Sequence, residues 1–176
     1  MITFLQHHEP GYALRTVANA RAADLTICFG VNFKSPGMIL THKSSYGKYF
    51  PVNMLYKIDD KLINELVVAI FDRSPDVINI AGNSLYSMRE IMTQEQCNEY
   101  VFNVLQPVMD CFQGISFRIG GQSGGDLAGG LAVDKLGLDC ICLAPKNWLF
   151  RTADGVDIKN DPDAFCARFG EQYTNI

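Results

Sequence analysis

The sequence predicts an α/β protein built on a doubly wound, mostly parallel sheet of about five strands with helices on both faces. Two observations predict it. Five short β-rich runs alternate with segments of helical periodicity, and each run is almost continuously apolar, as in strands covered on both faces. No composition shift, long linker or internal repeat breaks the pattern, so residues 1–176 read as one domain, large enough for a proper core.

In chain order, strands are expected over 25–30, 49–55, 77–81, 115–119 and 140–143. Helices are expected over 12–23, 38–47, 61–72, 94–112 and 125–136 between them. A last helix is expected over Pro162–Tyr173, with Asp161 as its cap and Pro162 in its first position.

Composition narrows the function. Hydrophobic residues make up 48% and charged residues 19%, which describes a globular, rather apolar chain. A net charge of −4 and a pI near 5.3 argue against a nucleic-acid partner, which needs a basic face to neutralise phosphates. No apolar run approaches a membrane span, and Met1–Glu9 lacks the pattern of a secretory leader, so a cytoplasmic protein with no membrane partner is expected. The six cysteines form no CxxC pair, and Cys140 and Cys142 are read as pointing to opposite faces of one strand. Free thiols are therefore expected, with no zinc. His7, His8 and His42 lack spaced acidic or thiol partners, so neither a metal nor a cofactor is expected.

In a doubly wound sheet, ligands bind beyond the carboxyl ends of the strands, where strand order reverses. The loop after 115–119 is the most suggestive: Gly120, Gly121, Gln122, Ser123, Gly124, Gly125, then Asp126 in the first helical turn. Glycines allow close backbone approach, and a helix N-terminus offers unpaired N–H groups to an anion. A tight β–α turn alone would need fewer glycines. Asp126 has a plain role as a partner of the helix dipole, and beside an anion site it suits a hydroxyl better than a phosphate.

Three further segments are candidate walls. Ser35-Pro36-Gly37 opens the helix carrying Thr41, so Gly37 and Thr41 mark a second helix N-terminus able to hold phosphate or carboxylate; ordinary capping explains the same residues. After 77–81, Gly82 allows close approach, Asn83 and Ser84 offer hydrogen bonds to a sugar or base, and Tyr86 offers a stacking ring; polar turn residues are also common in themselves. In 144–151, Lys146 and Arg151 bring positive charge beside the glycine loop if strands 115–119 and 140–143 are neighbours, and Trp148 offers a stacking face or a core seal. Tyr12, Arg15 and Asn19 share one face of the first helix, from which Arg15 can reach Asp24, Asp126 or a ligand.

These pieces together resemble the Rossmann-like SLOG superfamily and, within it, the molybdenum-carrier family. That family runs from GGQTG-V-D through CPKGR and DG, YxxRTxxN with SDGT, and GGTxLT to NVAG. The counterparts here are Gly120–Asp126, Ala144-Pro145-Lys146 with Asp154-Gly155, Tyr12–Thr16 with Asn19 and Ala23–Thr26, Pro36–Thr41, and Asn79–Gly82. The family's first two motifs stand last in this chain, which looks like a circular permutation, a change tolerated because domain termini are often close together.

There are departures. Leu127 replaces a basic residue, Asn147-Trp148 replaces Gly-Arg, and Asn83-Ser84 replaces Pro-Arg. The loss of cations suggests a ligand with less charge or more ring surface. The glutamate motif of the related phosphoribohydrolases has no counterpart.

The resemblance implies a nucleotide-like partner: a phosphorylated, nucleotide-derived small molecule bound without turnover, sequestered or sensed, such as a cyclic ADP-ribose isomer of antiviral defence signalling. The alternative is a nucleotide-processing enzyme of the N-glycosidase or phosphoribohydrolase type, using Asp126 or Asp24. A homo-oligomer is expected, with the apolar helix 94–112 as its candidate surface.

Overall fold

The computed structural model describes residues 1–171. Six strands, β1 (Ile2–Gln6), β2 (Leu25–Gly30), β3 (Tyr49–Asn53), β4 (Val77–Gly82), β5 (Ser116–Ile119) and β6 (Cys140–Ala144), form one parallel sheet in the order β1-β6-β5-β4-β2-β3. The helices are α1 (Ala13–Arg21), α2 (Pro36–Ser44), α3 (Asp60–Arg73), the single turn α4 (Leu85–Met88), α5 (Gln94–Met109), α6 (Gly125–Lys135) and α7 (Pro162–Glu171). A 3-10 turn (Lys146–Trp148) leads into an antiparallel hairpin of β7 (Phe150–Arg151) and β8 (Asp157–Ile158). The α/β class and the parallel, doubly wound sheet are as the sequence predicts. The sheet gains a sixth strand, and the last two residues expected in α7, Gln172 and Tyr173, lie outside the described residues.

Local signals place the ends of the helices. Asp59 accepts from the Leu62 N–H at 2.8 Å to cap α3, and Thr93 and Gln96 form a reciprocal capping box on α5. Asp161 accepts from the Ala164 N–H at 2.8 Å, the cap expected for α7.

The two faces of the sheet differ. Leu25, Ile27, Phe29, Ile78, Ile80, Phe117 and Ile119 enter one large apolar core with Leu66, Ile70, Val101, Leu105 and Leu131 from α3, α5 and α6. The intervening residues point to the other face, towards α1 and α2, which pack on each other. There Cys28 meets Met38 at 3.5 Å, and Arg118 meets Asn19.

The apolar stripe of α5, including Val101, Val104, Leu105 and Val108, is buried within this core. The apolar stripe of helix 94–112 is therefore accounted for by packing within the chain. Cys140 and Cys142 correct an expectation: both enter the same core, because residues two apart in a strand share a face. All six thiols are free, and burial pushes Cys28, Cys97 and Cys140 up to about 12. A thiol reagent should label exposed Cys111 rapidly and partly exposed Cys166 more slowly in the native protein, leaving four thiols protected until unfolding. Mass spectrometry of the labelled protein checks this.

Among the described residues no helix is long and apolar enough to cross a membrane.

Candidate functional site

The chain passes from β2 outward to β3 and then returns past β2 to β4, so strand order reverses at β2. Beyond the carboxyl ends of β2, β4 and β5, on the face covered by α1 and α2, lies a cleft of about 460 Å³. That volume falls within the usual range for small-molecule sites. Its floor is polar. Asn79 donates to the Thr26 hydroxyl at 3.3 Å, and Asn19 donates to the Ile119 carbonyl at 3.0 Å.

The centre of the cleft is a buried ion pair. Arg15, held on α1, donates from Nη1 to the Asp126 carboxylate at 2.9 Å, and both side chains are under 10% exposed. A Cβ at residue 120 would fall on the Arg15 guanidinium, so only glycine lets Arg15 lie across this backbone. Burial pushes the Asp126 carboxyl above the usual range, while Arg15 and the N–H groups of Gln122 and Gly82 hold it down. Three donors thus act against burial on this one carboxyl group.

The glycine loop is closed to a ligand at its helix end. The Gly124 N–H donates to Gln94 Oε1 at 2.6 Å, the Gly125 N–H to the Asn83 carbonyl at 3.0 Å, and the Leu127 N–H to the Gln122 carbonyl at 2.9 Å. Gly124 has φ 89°, and Gly121, with φ 70°, lies against Cys142 and Phe165. Gly120, Gln122 and Asp126 border the cleft; Gly121, Ser123 and Gly124 do not.

Gln122 and Ser123 have a different task. The Gln122 amide donates to the Leu149 carbonyl at 2.9 Å and accepts from the Arg151 N–H at 3.0 Å, and the Ser123 hydroxyl donates to the Arg151 carbonyl at 2.8 Å. These bonds dock the β7–β8 hairpin on the cleft's rim. Arg151 then pairs with Asp157 at 2.7 Å and lies over the Tyr12 ring, whose hydroxyl also donates to Asp157 at 2.9 Å. The Arg151 guanidinium holds the Asp157 carboxyl below its ordinary value. Gly155, in the turn of the hairpin, sits against the Tyr86 ring.

Other expected residues divide in the same way. Gly37, Thr41, Gly82, Asn83 and Ser84 border the cleft. Asn83, however, is spent on the chain itself: its oxygen accepts from the Val31 and Asn32 N–H groups, each at 2.9 Å, and its nitrogen donates to the Asn32 carbonyl and to Ser35. Ser84 pairs with the Ser87 hydroxyl at 3.0 Å. Thr41 donates to the Gly37 carbonyl at 2.9 Å.

β5 and β6 are neighbours, yet Lys146 is exposed outside the cleft. Trp148 also lies outside it. Asn147 and Trp148 both have positive φ, and Trp148 packs on Phe165 with ring centroids 5.4 Å apart. Asp24 accepts from the Asp76 and Val77 N–H groups beside the start of β4, at the opposite edge of the sheet.

Thr16 and Asn79 also border the cleft, though only the motifs of the resemblance had touched them. Asn79 carried a signal: a polar side chain inside the apolar run Val77-Ile78-Asn79-Ile80 marks a polar sheet face. Among the described residues no group of three or more His, Cys, Asp or Glu side chains is placed to hold a metal ion. No family model, no curated protein and no solved structure matches the chain.

Proposed function

We propose that this cleft binds a phosphorylated, nucleotide-derived small molecule without turnover, so that the protein sequesters or senses a signalling nucleotide such as a cyclic ADP-ribose isomer. The observation that carries the reading is the cleft itself: a nucleotide-sized cavity at the reversal point of a parallel sheet, lined in part by the Asn19 and Asn79 amides and by Tyr12, Tyr86 and Arg151. The motif pieces that resemble the SLOG superfamily support it, because Gly120, Asp126, Arg15, Asn19, Gly37, Thr41 and Asn79–Gly82 all border this one cavity.

Binding is favoured over N-glycoside cleavage on the state of the carboxylates. Asp126 is the one acidic residue among the described cleft-lining residues, and Arg15 and two backbone amides occupy it. Asp24 stands at the far edge of the sheet.

The test is incubation with a nucleotide panel that includes cyclic ADP-ribose isomers, then denaturation and chromatography. Intact ligand should be recovered; release of free base or ribose phosphate would replace this reading with the enzymatic one. Lys146→Ala, outside the cleft, should bind like the wild type in the same assay.

A further inference from the structure

We infer that the inner end of the cleft is the recognition site for an uncharged nucleobase, read through the Asn79 amide, and that the phosphate end of the ligand stays at the mouth. This rests on the nucleotide-binding reading and says which part of the ligand the protein reads.

Asn79 lies three residues before the end of β4, roughly 10 Å below the loops that rim the cleft. It borders the cavity and is 2% exposed. Its Nδ2 donates to the Thr26 hydroxyl at 3.3 Å, and among the described residues its Oδ1 has no partner. That oxygen is not sealed in protein and keeps contact with the cavity. A buried amide oxygen without a donor is costly, and a ligand N–H would relieve that cost. The neighbouring amide of Asn19 is different, because it donates to the Ile119 carbonyl and accepts from Arg118. The Thr16 hydroxyl, half-buried on α1, borders the same cavity and also makes no hydrogen bond among the described residues.

The wall around these groups is apolar, with Met38 and Leu40 from α2 and Ala81 from β4. A base suits such a wall: its faces lie against the apolar side chains while one edge donates to Asn79. A ribose placed there would leave hydroxyl groups against methyl and methylene groups.

Charge keeps the phosphate out of this end. The cations among the described cleft-lining residues are Arg15 and Arg151, paired with Asp126 and Asp157. The leading amides of α6 are bonded within the chain. A phosphate carried inwards would lose its water without meeting a free counter-charge. On the rim, where the Arg151 side chain is 37% exposed, a phosphate keeps its hydration.

The experiment is calorimetric titration of the whole chain with adenosine, guanosine, cytidine and uridine, and with purine riboside, whose base has no N–H donor. At least one of the four nucleosides should bind, with purine riboside at least tenfold weaker and the matching 5′-monophosphate within about tenfold of the nucleoside. Pyrophosphate should not displace the nucleoside. Asn79→Leu puts an apolar group in place of the amide. It should weaken that nucleoside about tenfold and leave purine riboside unchanged, a split that a folding defect would not produce. Purine riboside bound within tenfold of the best nucleoside would show that the sugar is read instead of the base. That result, displacement by pyrophosphate, a monophosphate bound more than tenfold more tightly, or undiminished binding by Asn79→Leu would each overturn the inference.

The nucleotide panel separates the two claims. Phosphorylated nucleotides that bind and are recovered intact, while no nucleoside binds, defeat this inference and leave the proposed function standing. A nucleoside bound through Asn79, with no phosphorylated member of the panel bound, defeats the proposed function and leaves the base site standing.

Discussion

Arg15→Met is expected to lose about 3–5 kcal/mol of stability, because it removes the ionic partner of a buried carboxylate. Methionine fills much of the arginine stem's volume, so the loss reports charge rather than a cavity. Asp126 would keep the Gln122 and Gly82 N–H groups but lose both the Coulombic and the hydrogen-bonding contribution of Arg15.

The pH dependence has a definite sign. The Asp126 carboxyl is raised in the folded state, and removing Arg15 raises it further, since both Arg15 contributions lower it. A folded-state value above the unfolded one favours folding fully below the unfolded value and loses that contribution as pH rises through the folded value. The variant's deficit against the wild type should therefore be large at neutral pH and shrink in mild acid. Adding Asp126→Asn should recover part of the loss at neutral pH, because the remaining buried group is then neutral. Urea denaturation of the wild type and the two variants at two pH values measures all of this. An Arg15→Met deficit that does not change with pH would mean that Asp126 is not the charge left behind.

The sequence exposed the layers of this fold more readily than its edges. β2 is buried along its whole length and reads directly as an apolar run. β1 alternates in exposure and lies at the edge of the sheet, and its partner β6 is about 140 residues away, so nothing local announces it. The β7–β8 hairpin has two residues in each strand and depends on the side chains of Gln122 and Ser123 for its position. A tertiary dependence of that kind leaves no periodicity behind.

The site was legible as a set of loops but not as an allocation of hydrogen bonds. Glycine-rich turns, Asn83 and Ser123 look alike in sequence whether their polar groups face a ligand or another part of the chain. Here the chain takes most of them: Asn83 ties the β2–α2 loop to β4, and the α6 amides tie the glycine loop to Gln94 and Asn83. Arg15 was legible because helical spacing set it beside Tyr12 and Asn19. Its partner could not be chosen between Asp24 and Asp126 until the strands were ordered.

Gly120→Ala tests whether the glycine loop is shaped around the ligand or around Arg15. Its new Cβ would fall on the Arg15 guanidinium and close to the Asp126 carboxylate, so it should displace the arginine and separate the pair. The loss of stability should approach that of Arg15→Met and share its relief in mild acid. The two changes should not add: in an Arg15→Met background the guanidinium is gone, and Gly120→Ala should cost much less than it does alone.

Gly82→Ala behaves differently. Its Cβ would press on the Phe29 carbonyl oxygen and lie 2.8 Å from the Gly125 Cα, both backbone atoms that cannot swing aside. Overpacking of this kind costs about 1–3 kcal/mol and persists in an Arg15→Met background, where the backbone clash remains. A double-mutant cycle by urea denaturation distinguishes the two glycines. Full additivity between Gly120→Ala and Arg15→Met would show that Gly120 is needed for something other than the passage of Arg15.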